Sequence, residues 1–425
     1  MSQRPMDRRA FARVLAGAAA IPFVGGAPAV LANARPKVVV IGAGFGGATV
    51  AKYIRLWDPG IDVTILERRH HFVSCPMSNL VLSGDRKLEQ NTIGYEGLAA
   101  HGVVRIRADV TAVDHDKREV VIDTGQRVRY DRLVISPGID FLWNTIEGLD
   151  ERISDDKVPH AWKAGHQTTA LRKQLEAMPD GGSYLLSIPR APYRCPPGPY
   201  ERASMIASYF SRHKPKSKVI VLDANPEIVS KKGLFTKAWA ELYPGVIDYH
   251  PNSAVIQVDA GAKSVKTDFD TFEADVLNVV PPHGAGTIAH QAGVVSVDGR
   301  WAGVSFQTYE SLVVPGIYVL GDSTSAAPAP KSAHTANNQA KVAASAIIAS
   351  LRGEAPTAVP VSANTCYSFV SPTEAIHVAA VYRFDAAKKS LVTVDGTLGV
   401  SEKRNEAEAT YALSWAENIW RDSFA

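Results

Sequence analysis

Hydrophobic runs and helical periods alternate along two parts of the chain in the order that is typical of parallel sheets. In the first part, the apolar strand "KVVVI" (37–41) precedes the helical stretch "ATVAKYIRLW" and the strand "DVTILE" (62–67). In the second part, the strand "SYLLSIP" (183–189) precedes "ERASMIASYFSRHK" and "KVIVLDAN". Because adjacent parallel strands need a crossover helix, each part is predicted to form a βαβ unit.

The remaining apolar patterns predict how these units are completed. The strand "YDRLVISPG" (130–138) closes the first segment, "GIYVLGDST" (316–324) is a late strand, and residues 356–425 alternate as strands before a final helix. We therefore predict an α/β protein with two Rossmann-like dinucleotide-binding domains and a smaller α+β C-terminal domain. The predicted boundaries are 35–147 with 285–355 for the first domain, 148–284 for the second and 356–425 for the last.

A glycine-rich turn follows the first strand. Gly42, Gly44 and Gly47 stand between this strand and its helix, and Glu67 ends the next strand twenty residues later. The glycines permit a tight turn, close approach of the backbone to a pyrophosphate and helix packing, and the acid bonds a ribose hydroxyl. A tight βα turn without a ligand is the alternative, but the full register of strand, turn, helix, strand and acid favours a dinucleotide site.

The late strand ends on Gly321 and Asp322, and a helix of small residues follows it. In flavoenzymes with two dinucleotide-binding domains, a carboxylate at this point bonds the ribityl chain of FAD, and the next helix directs its N-terminus at the flavin. Asp322 is therefore a predicted FAD ligand. The alternative is that Asp322 caps the helix together with Ser323.

The turn of the second βαβ unit is rich in proline instead of glycine. Cys195 stands in this turn, and Gly198 is its one glycine; the prolines are Pro189, Pro192, Pro196, Pro197 and Pro199. Because proline removes the backbone N–H groups that bind phosphate, we expect this domain to keep the fold and to lack a nicotinamide site.

The N-terminus reads as an export signal, residues 1–34. Arg8 and Arg9 precede an apolar run of small residues that closes on the A-x-A pattern Ala32-Asn33-Ala34, which predicts the twin-arginine route to the periplasm. A membrane anchor is the alternative, but prolines and glycines interrupt the run. Four arginines and one aspartate in this segment account for the whole net charge of +3. The mature chain is therefore neutral, which argues against nucleic-acid binding. The interrupted apolar run argues against stable membrane insertion.

The sequence has three cysteines, Cys75, Cys195 and Cys366. They lie far apart, so the sequence contains no local motif for a redox pair or a zinc cluster. In an oxidising compartment two of them can pair. The chain has no C-x-x-C-H motif and therefore attaches no c-type haem of its own. The histidines show no ligand spacing, and no metal site is predicted.

Five segments give the chain a specific resemblance. They are "CPMSNLVLSGDRKLE", "HAWKAGHQTTALRKQLE", "RCPPGPYERAS", "NTCYS" and "YALSWAENIWRDSF". Over essentially the whole mature chain, the sequence resembles the flavoprotein subunit of flavocytochrome c sulfide dehydrogenase. Its wider relatives are the sulfide:quinone reductases and the pyridine-nucleotide disulfide oxidoreductases, so the resemblance implies a glutathione-reductase-like fold.

The resemblance also implies roles for particular residues. Cys75 matches the cysteine that is joined to the flavin as an 8α-thioether, and Cys195 and Cys366 match a redox-active disulfide across the flavin. A purely structural disulfide is the alternative for that pair. Glu201 matches a candidate acid/base near the disulfide, although it could equally stabilise the N-terminus of its own helix. Arg194 is either an electrostatic partner of Cys195 or an ordinary surface arginine.

The function that the resemblance implies is a sulfide:cytochrome c oxidoreductase. Hydrosulfide would attack the disulfide, leaving a persulfide on Cys195 and a flavin-facing thiolate on Cys366, and a separate c-type cytochrome subunit would receive the electrons singly. A sulfide:quinone reductase is one alternative, which the charged C-terminal helix disfavours. A non-catalytic flavoprotein that redox-activates a sulfur-oxidising complex is the other.

Overall fold

Two parallel sheets and one antiparallel sheet form the framework of the protein, in a computed structural model that describes residues 35–425. Residues 36–425 make up one compact unit. The predicted export signal lies outside the described residues.

The first sheet is wholly parallel, and its strands come from the two ends of the sequence. Across the sheet the strands follow the order Ile317–Val319, Arg132–Ile135, Lys37–Ile41, Asp62–Leu66 and Val103–Ile106. Helix Phe45–Trp57 connects the two strands of the first βαβ unit, and helix Ala333–Arg352 packs on it. Val38, Val39 and Val40 are buried because helices cover a parallel sheet on both faces.

The second sheet repeats this construction. Its parallel strands follow the order Ile247–His250, Lys218–Asp223, Ser183–Ile188 and Val276–Val279. The crossover helix spans Gly198–His213, so it begins three residues before the predicted start at Glu201. Pro199 fits within its first turn, where a missing N–H costs no hydrogen bond. The prediction of two Rossmann-like sheets in an α/β protein is thereby confirmed.

An antiparallel sheet follows in the last part of the chain. Strand Val361–Phe369 pairs with Ala375–Asp385, which also pairs with Ser390–Thr393 and Gly399–Val400. The final helix, Glu406–Phe424, packs on this sheet and on helix Phe45–Trp57.

The end of that helix is fastened to the first domain by side-chain hydrogen bonds. Asp422 accepts from the Tyr53 hydroxyl at 2.6 Å and from the Asn337 amide at 2.7 Å, and Thr49 Oγ1 donates to Ser423 Oγ at 3.0 Å. The Phe424 ring stacks on Phe72 with centroids 4.7 Å apart. The last residues therefore belong structurally to the first sheet and its helices.

Smaller elements complete the described chain. The other helices are Ser78–Leu82, Glu96–Ala100, Glu151–Asp156, His166–Ala177, Lys232–Leu242 and Thr287–Gln291, with 3₁₀ turns at Leu88–Asn91, Trp143–Thr145 and Gly321–Ser323. The other strands are Phe72–Val73, Thr92–Ile93, Val110–Asp114, Glu119–Ile122, Arg127–Arg129, Ile139–Phe141, Gln257–Asp259, Ser264–Lys266, Thr271–Glu273, His283–Ala285, Val295–Val297 and Trp301–Ala302. Among residues 35–425, no helix combines the length and the apolar character that crossing a bilayer requires.

Candidate active site

The glycine turn after the first strand is closed by backbone contacts that leave no room for side chains. Gly42 has φ +89°, and a Cβ atom there would lie 2.5 Å from the Ser136 carbonyl oxygen. A Cβ atom on Gly47 would lie 1.8 Å from the carbonyl oxygen of Gly42. At Gly44, by contrast, the nearest atom to a Cβ is a Phe72 ring carbon at 3.9 Å, so the start of the helix is open to a ligand.

Glu67 lies directly beside this turn. Its carboxylate accepts hydrogen bonds from the backbone N–H of Ala43 at 2.8 Å and from that of Arg69 at 2.8 Å. These bonds orient the side chain along the carboxyl edge of the first sheet, the edge at which dinucleotides bind in this architecture.

Asp322 occupies the same edge, in the 3₁₀ turn after strand Ile317–Val319. Among the described residues its Oδ1 atom has no hydrogen-bond partner, and the same is true of Nε2 of Gln339. Burial raises the pKa of the Asp322 carboxyl group. The following helix is capped by Ser332, whose hydroxyl accepts from Thr335 N–H, so Asp322 does not serve as that cap.

These features fit an FAD cofactor. Unpaired polar atoms in protein interiors are rare, so the orphaned carboxylate of Asp322 and amide of Gln339 call for a polar ligand between the glycine turn and the late helix. Gly42, Gly44, Gly47, Glu67 and Asp322 line one sheet edge, as a dinucleotide with a ribityl chain requires.

Cys75 lies two residues after strand Phe72–Val73, with its sulfur against the segment that precedes helix His166–Ala177. Its sulfur accepts a hydrogen bond from Ala164 N–H at 3.4 Å and lies 3.6 Å from the Trp162 carbonyl oxygen. The three cysteines are free thiols in the structure.

Cys195 lies in the proline-rich turn that precedes helix Gly198–His213. It has φ +59°, and its N–H donates to the Lys331 carbonyl oxygen at 2.9 Å. A Cβ atom on Gly198 would lie 3.0 Å from the Cys195 sulfur and 3.1 Å from the Trp162 ring. Gly198 therefore permits close approach of a sulfur and an indole.

Cys366 reaches the same region from the antiparallel sheet. It is buried on strand Val361–Phe369, and the Asn364 amide donates to its sulfur at 3.3 Å. Burial raises the pKa of both thiols, and the charge of Cys366 raises the pKa of Cys195 further. Cysteines that are 171 positions apart in sequence thus share one electrostatic environment, and Cys195 is the more exposed of the two.

Glu201 joins the two elements that carry these cysteines. One carboxylate oxygen accepts from the backbone N–H of Phe369 at 2.9 Å and the other from the Asn79 amide at 2.9 Å. The Glu201 side chain therefore forms its hydrogen bonds with residues outside its own helix, one of them on the strand that carries Cys366. Burial raises the pKa of this carboxyl group, because a charged carboxylate is disfavoured away from water.

The acidic residue at the end of the second strand of the second βαβ unit is occupied by hydrogen bonds within the protein. Asp223 ends strand Lys218–Asp223 at the position that corresponds to Glu67, and it is fully buried. The hydroxyl groups of Tyr200 and Tyr249 donate to Oδ2 at 2.8 and 2.9 Å, and Asn225 N–H donates to Oδ1 at 2.9 Å. A tyrosine network therefore uses the acceptors that a second nucleotide would need.

Arg194 and Lys231 are the two cations whose charges lower the pKa of Cys195, against the larger effect of burial. The Arg194 guanidinium donates to the Trp162 carbonyl oxygen, and its backbone N–H donates to His283 Nδ1 at 3.0 Å. Sequence patterns singled out Arg194 by its adjacency to Cys195, whereas Lys231, in an ordinary "SKKG" loop, carries no such signal.

Comparisons with known proteins agree with this geometry. Residues 36–177 match the family model for pyridine nucleotide-disulphide oxidoreductases. Residues 168–281 match the central part, and residues 358–424 the flavin-binding part, of the flavocytochrome c sulfide dehydrogenase flavoprotein chain.

Individual relatives point the same way. The flavoprotein chain of flavocytochrome c sulfide dehydrogenase from Chlorobaculum thiosulfatiphilum is 58% identical over 45 residues, which is 11% of this chain and 94% of that sequence. Mitochondrial sulfide:quinone oxidoreductase of Dictyostelium discoideum is 22% identical over 324 residues, 72% of this chain and 69% of the relative.

A solved structure shares the fold. The sulfide:quinone oxidoreductase of Aquifex aeolicus superposes with a TM-score of 0.72 and 19% identity, covering 91% of each chain. The fold, the two sheets and the matched segments lead to one assignment. The chain belongs to the flavocytochrome c sulfide dehydrogenase flavoprotein family, a group of flavin-dependent sulfide oxidoreductases.

Proposed function

We propose that this protein oxidises hydrosulfide through a Cys195–Cys366 disulfide and passes the electrons by way of FAD to a separate c-type cytochrome subunit. One chain of contacts carries the proposal. Cys195 N–H donates to the Lys331 carbonyl oxygen, and the Lys331 ammonium donates to the Asp322 carbonyl oxygen at 2.9 Å. The reactive turn is thereby tied to the residue that is expected to hold the ribityl chain.

FAD would be held by Gly42, Gly44, Gly47, Glu67 and Asp322. When bound, it supplies the ability to take two electrons from a sulfur donor and to release them one at a time to a haem. We propose further that Cys75 tethers the flavin as a thioether, which would keep the cofactor bound outside the cytoplasm.

Cys195 is the proposed site of attack because, of the two residues, it is the less buried. A cavity of about 270 Å³ lies against its turn, lined among others by Tyr193, Pro196, Trp301 and Lys331. It offers hydrosulfide a route to the turn. The sulfur of hydrosulfide bonds to Cys195, the bond between the cysteines breaks, and its electron pair remains on Cys366. Cys195 then carries a persulfide and Cys366 a thiolate.

Glu201 is the proposed acid/base of this site. Burial raises the pKa of its carboxyl group, and the group interacts electrostatically with both cysteines. The N–H groups of Phe369 and Asn79 keep its carboxyl group fixed while the proton moves. Periplasmic location by the twin-arginine route completes the proposal, since an exported enzyme could meet both sulfide and a c-type cytochrome there.

The test is an anaerobic sulfide titration of the purified holoprotein, followed by flavin absorbance. Wild type is expected to bleach and to develop a long-wavelength thiolate charge-transfer band, whereas Cys366→Ser should do neither. The matched control is Cys75→Ser, which should still bleach but release its flavin on acid denaturation. Equal bleaching of Cys366→Ser and wild type would refute the disulfide mechanism.

The electron acceptor is tested in the same preparation. A c-type cytochrome should be reduced during sulfide turnover faster than a soluble quinone analogue. Faster reduction of the quinone would favour the function named for the Dictyostelium and Aquifex relatives. Weak turnover with either acceptor, together with activation of a sulfur-oxidising complex, would favour a non-catalytic role.

A further inference from the structure

A buried lysine lies between the strand of Cys366 and the proline-turn helix. Lys231 directly precedes helix Lys232–Leu242, with φ +55°, and its side chain is buried. Its ammonium donates to the carbonyl oxygen of Cys366 at 3.0 Å and to the Ser368 hydroxyl at 2.8 Å. Two hydrogen bonds therefore hold the cation against the strand that carries Cys366.

Neither of these acceptors is charged. An ammonium group has three N–H donors, so one donor of Lys231 has no acceptor among the described residues. The centroid of the Phe235 ring lies 5.7 Å from the ammonium nitrogen. A buried cation with only neutral acceptors is costly, and this cost falls when an anion forms nearby.

The groups that interact electrostatically with Lys231 are carboxyl groups and thiols, which become negative when they ionise. They are Cys366 from the antiparallel sheet, Cys195 from the proline-rich turn, Glu201 from helix Gly198–His213 and Glu408 from the final helix. Burial lowers the pKa of Lys231 to about 8, so the ammonium form prevails at neutral pH. Lys231 in turn lowers the pKa of Cys366 and of Cys195 against the effect of burial.

Building on the proposed function, we propose that Lys231 is a positioning residue for sulfide oxidation, whose fixed ammonium stabilises the thiolate left on Cys366 when the disulfide opens. The negative charge that arrives with hydrosulfide ends on Cys366, beside this cation. One sulfur–sulfur bond forms and one breaks, so the step needs no further reactant. Arg194 is less suited to this role because its guanidinium bonds the Trp162 carbonyl oxygen and its charge acts on Cys195.

The experiment measures the acidity of Cys366 without any sulfide turnover. In flavin-loaded full-length protein that carries Cys195→Ser, peptide mass spectrometry gives the midpoint, which is the iodoacetamide concentration that alkylates half of Cys366 in a fixed time at neutral pH, where the Lys231 ammonium form prevails. Adding Lys231→Met is expected to raise this midpoint about tenfold or more, because loss of a nearby opposite charge raises the thiol pKa by about one unit or more and lowers the thiolate fraction accordingly. Lys231→Arg should restore most of the original midpoint.

Lys232→Met is the matched control. Lys232 is adjacent and exposed and pairs with Glu227 at 2.6 Å, so this variant removes the same unit of charge outside the site. Its midpoint should equal that of the Cys195→Ser parent. An unchanged midpoint in Lys231→Met, or an equal shift in Lys232→Met, would overturn the proposal.

Ser368→Ala covers the case in which Lys231→Met does not fold. It frees the ammonium from one of its two anchors and should raise the midpoint by a smaller amount; no rise would count against the role of Lys231. Failure of the proposed function has a different signature. The wild-type flavin would then resist bleaching by sulfide while the alkylation midpoint still depended on Lys231.

Discussion

The two βαβ units of this protein have the same topology, but the turns between their first strand and helix differ in composition and in what they leave room for. The first turn is empty of side chains, since a Cβ atom on Gly42 or Gly47 would collide with backbone, and Glu67 stands beside it. The second turn holds the Cys195 sulfur against Gly198, while its acid, Asp223, is bound by two tyrosines. One fold therefore provides a dinucleotide cradle when its turn is glycine and a thiol site when it is proline and cysteine.

Gly47→Ala should break the first turn and produce the largest effect. The new Cβ atom would lie 1.8 Å from a backbone oxygen, so the turn must open, at a cost of about 3 kcal/mol. We expect protein that carries no flavin and unfolds at lower urea concentration. Flavin content after gel filtration measures the effect, and stoichiometric flavin in this variant would contradict the assignment of the turn.

NADH offers a test of the second turn without any mutation. Since prolines replace the phosphate-binding N–H groups and Asp223 has no free acceptor for a ribose, NADH should leave the wild-type flavin oxidised under anaerobic conditions. Sulfide added to the same cuvette is the positive control. Rapid bleaching by NADH would show that the second unit still binds a nucleotide.

Gly198→Ala should have a smaller effect, confined to the thiol site. Its Cβ atom would lie 3.0 Å from the Cys195 sulfur, but alanine is the better helix former, so stability should change by about 1 kcal/mol at most. We expect full flavin content and a reduced rate of bleaching by sulfide, because the sulfur must move. Stopped-flow reduction compared with wild type measures this, and an unchanged rate would mean that the sulfur position is not critical.

The charge next to the second turn predicts an effect of another kind, a dependence of stability on pH. Because the pKa of Lys231 is lowered from 10.5 to about 8, the folded protein releases this proton between these values before the unfolded chain does. The contribution of Lys231 to the free energy of unfolding therefore rises with pH in that window, by about 1.4 kcal/mol per pH unit, and is least favourable below pH 8.

Urea unfolding of reduced wild type and Lys231→Met at pH 7.5 and pH 9.5 checks this sign. Wild type should gain stability relative to the variant as the pH rises. Lys232→Met should show no such trend. A relative loss of wild-type stability at the higher pH would show that Lys231 is not held in a desolvated environment.

Local patterns were sufficient for the first turn and insufficient for the thiol site. The spacing of Gly42, Gly44, Gly47 and Glu67 reflects backbone geometry within one βαβ unit, which is why the sequence alone predicted it. Cys195 and Cys366 share one electrostatic environment because strand Val361–Phe369 packs on the helix that follows the proline-rich turn, and no sequence spacing encodes that packing. The pairing came from the family resemblance, and it stays a prediction, because both thiols are free in the structure.

Other features of the site lacked any sequence signal. Lys231 acquires its setting from a strand 135 positions further along the chain, whose Cys366 carbonyl oxygen accepts its hydrogen bond. The sequence pattern predicts the start of helix Gly198–His213 three residues too late. The prolines before Glu201 are typical of a loop, but Pro199 lies in the first turn of the helix. Local propensity does not predict either feature, because the first depends on a long-range contact and the second on the position of proline at a helix terminus.

The attachment of helix Glu406–Phe424 has a consequence for local opening of the folded chain. Asp422 and Ser423 bond Tyr53, Thr49 and Asn337, although Tyr53 and Asp422 are 369 positions apart in sequence. Undocking of this helix would break these hydrogen bonds and uncover the helix that follows the glycine turn. The two helices are therefore expected to open together, so amide exchange in helix Phe45–Trp57 would report on the docking of helix Glu406–Phe424.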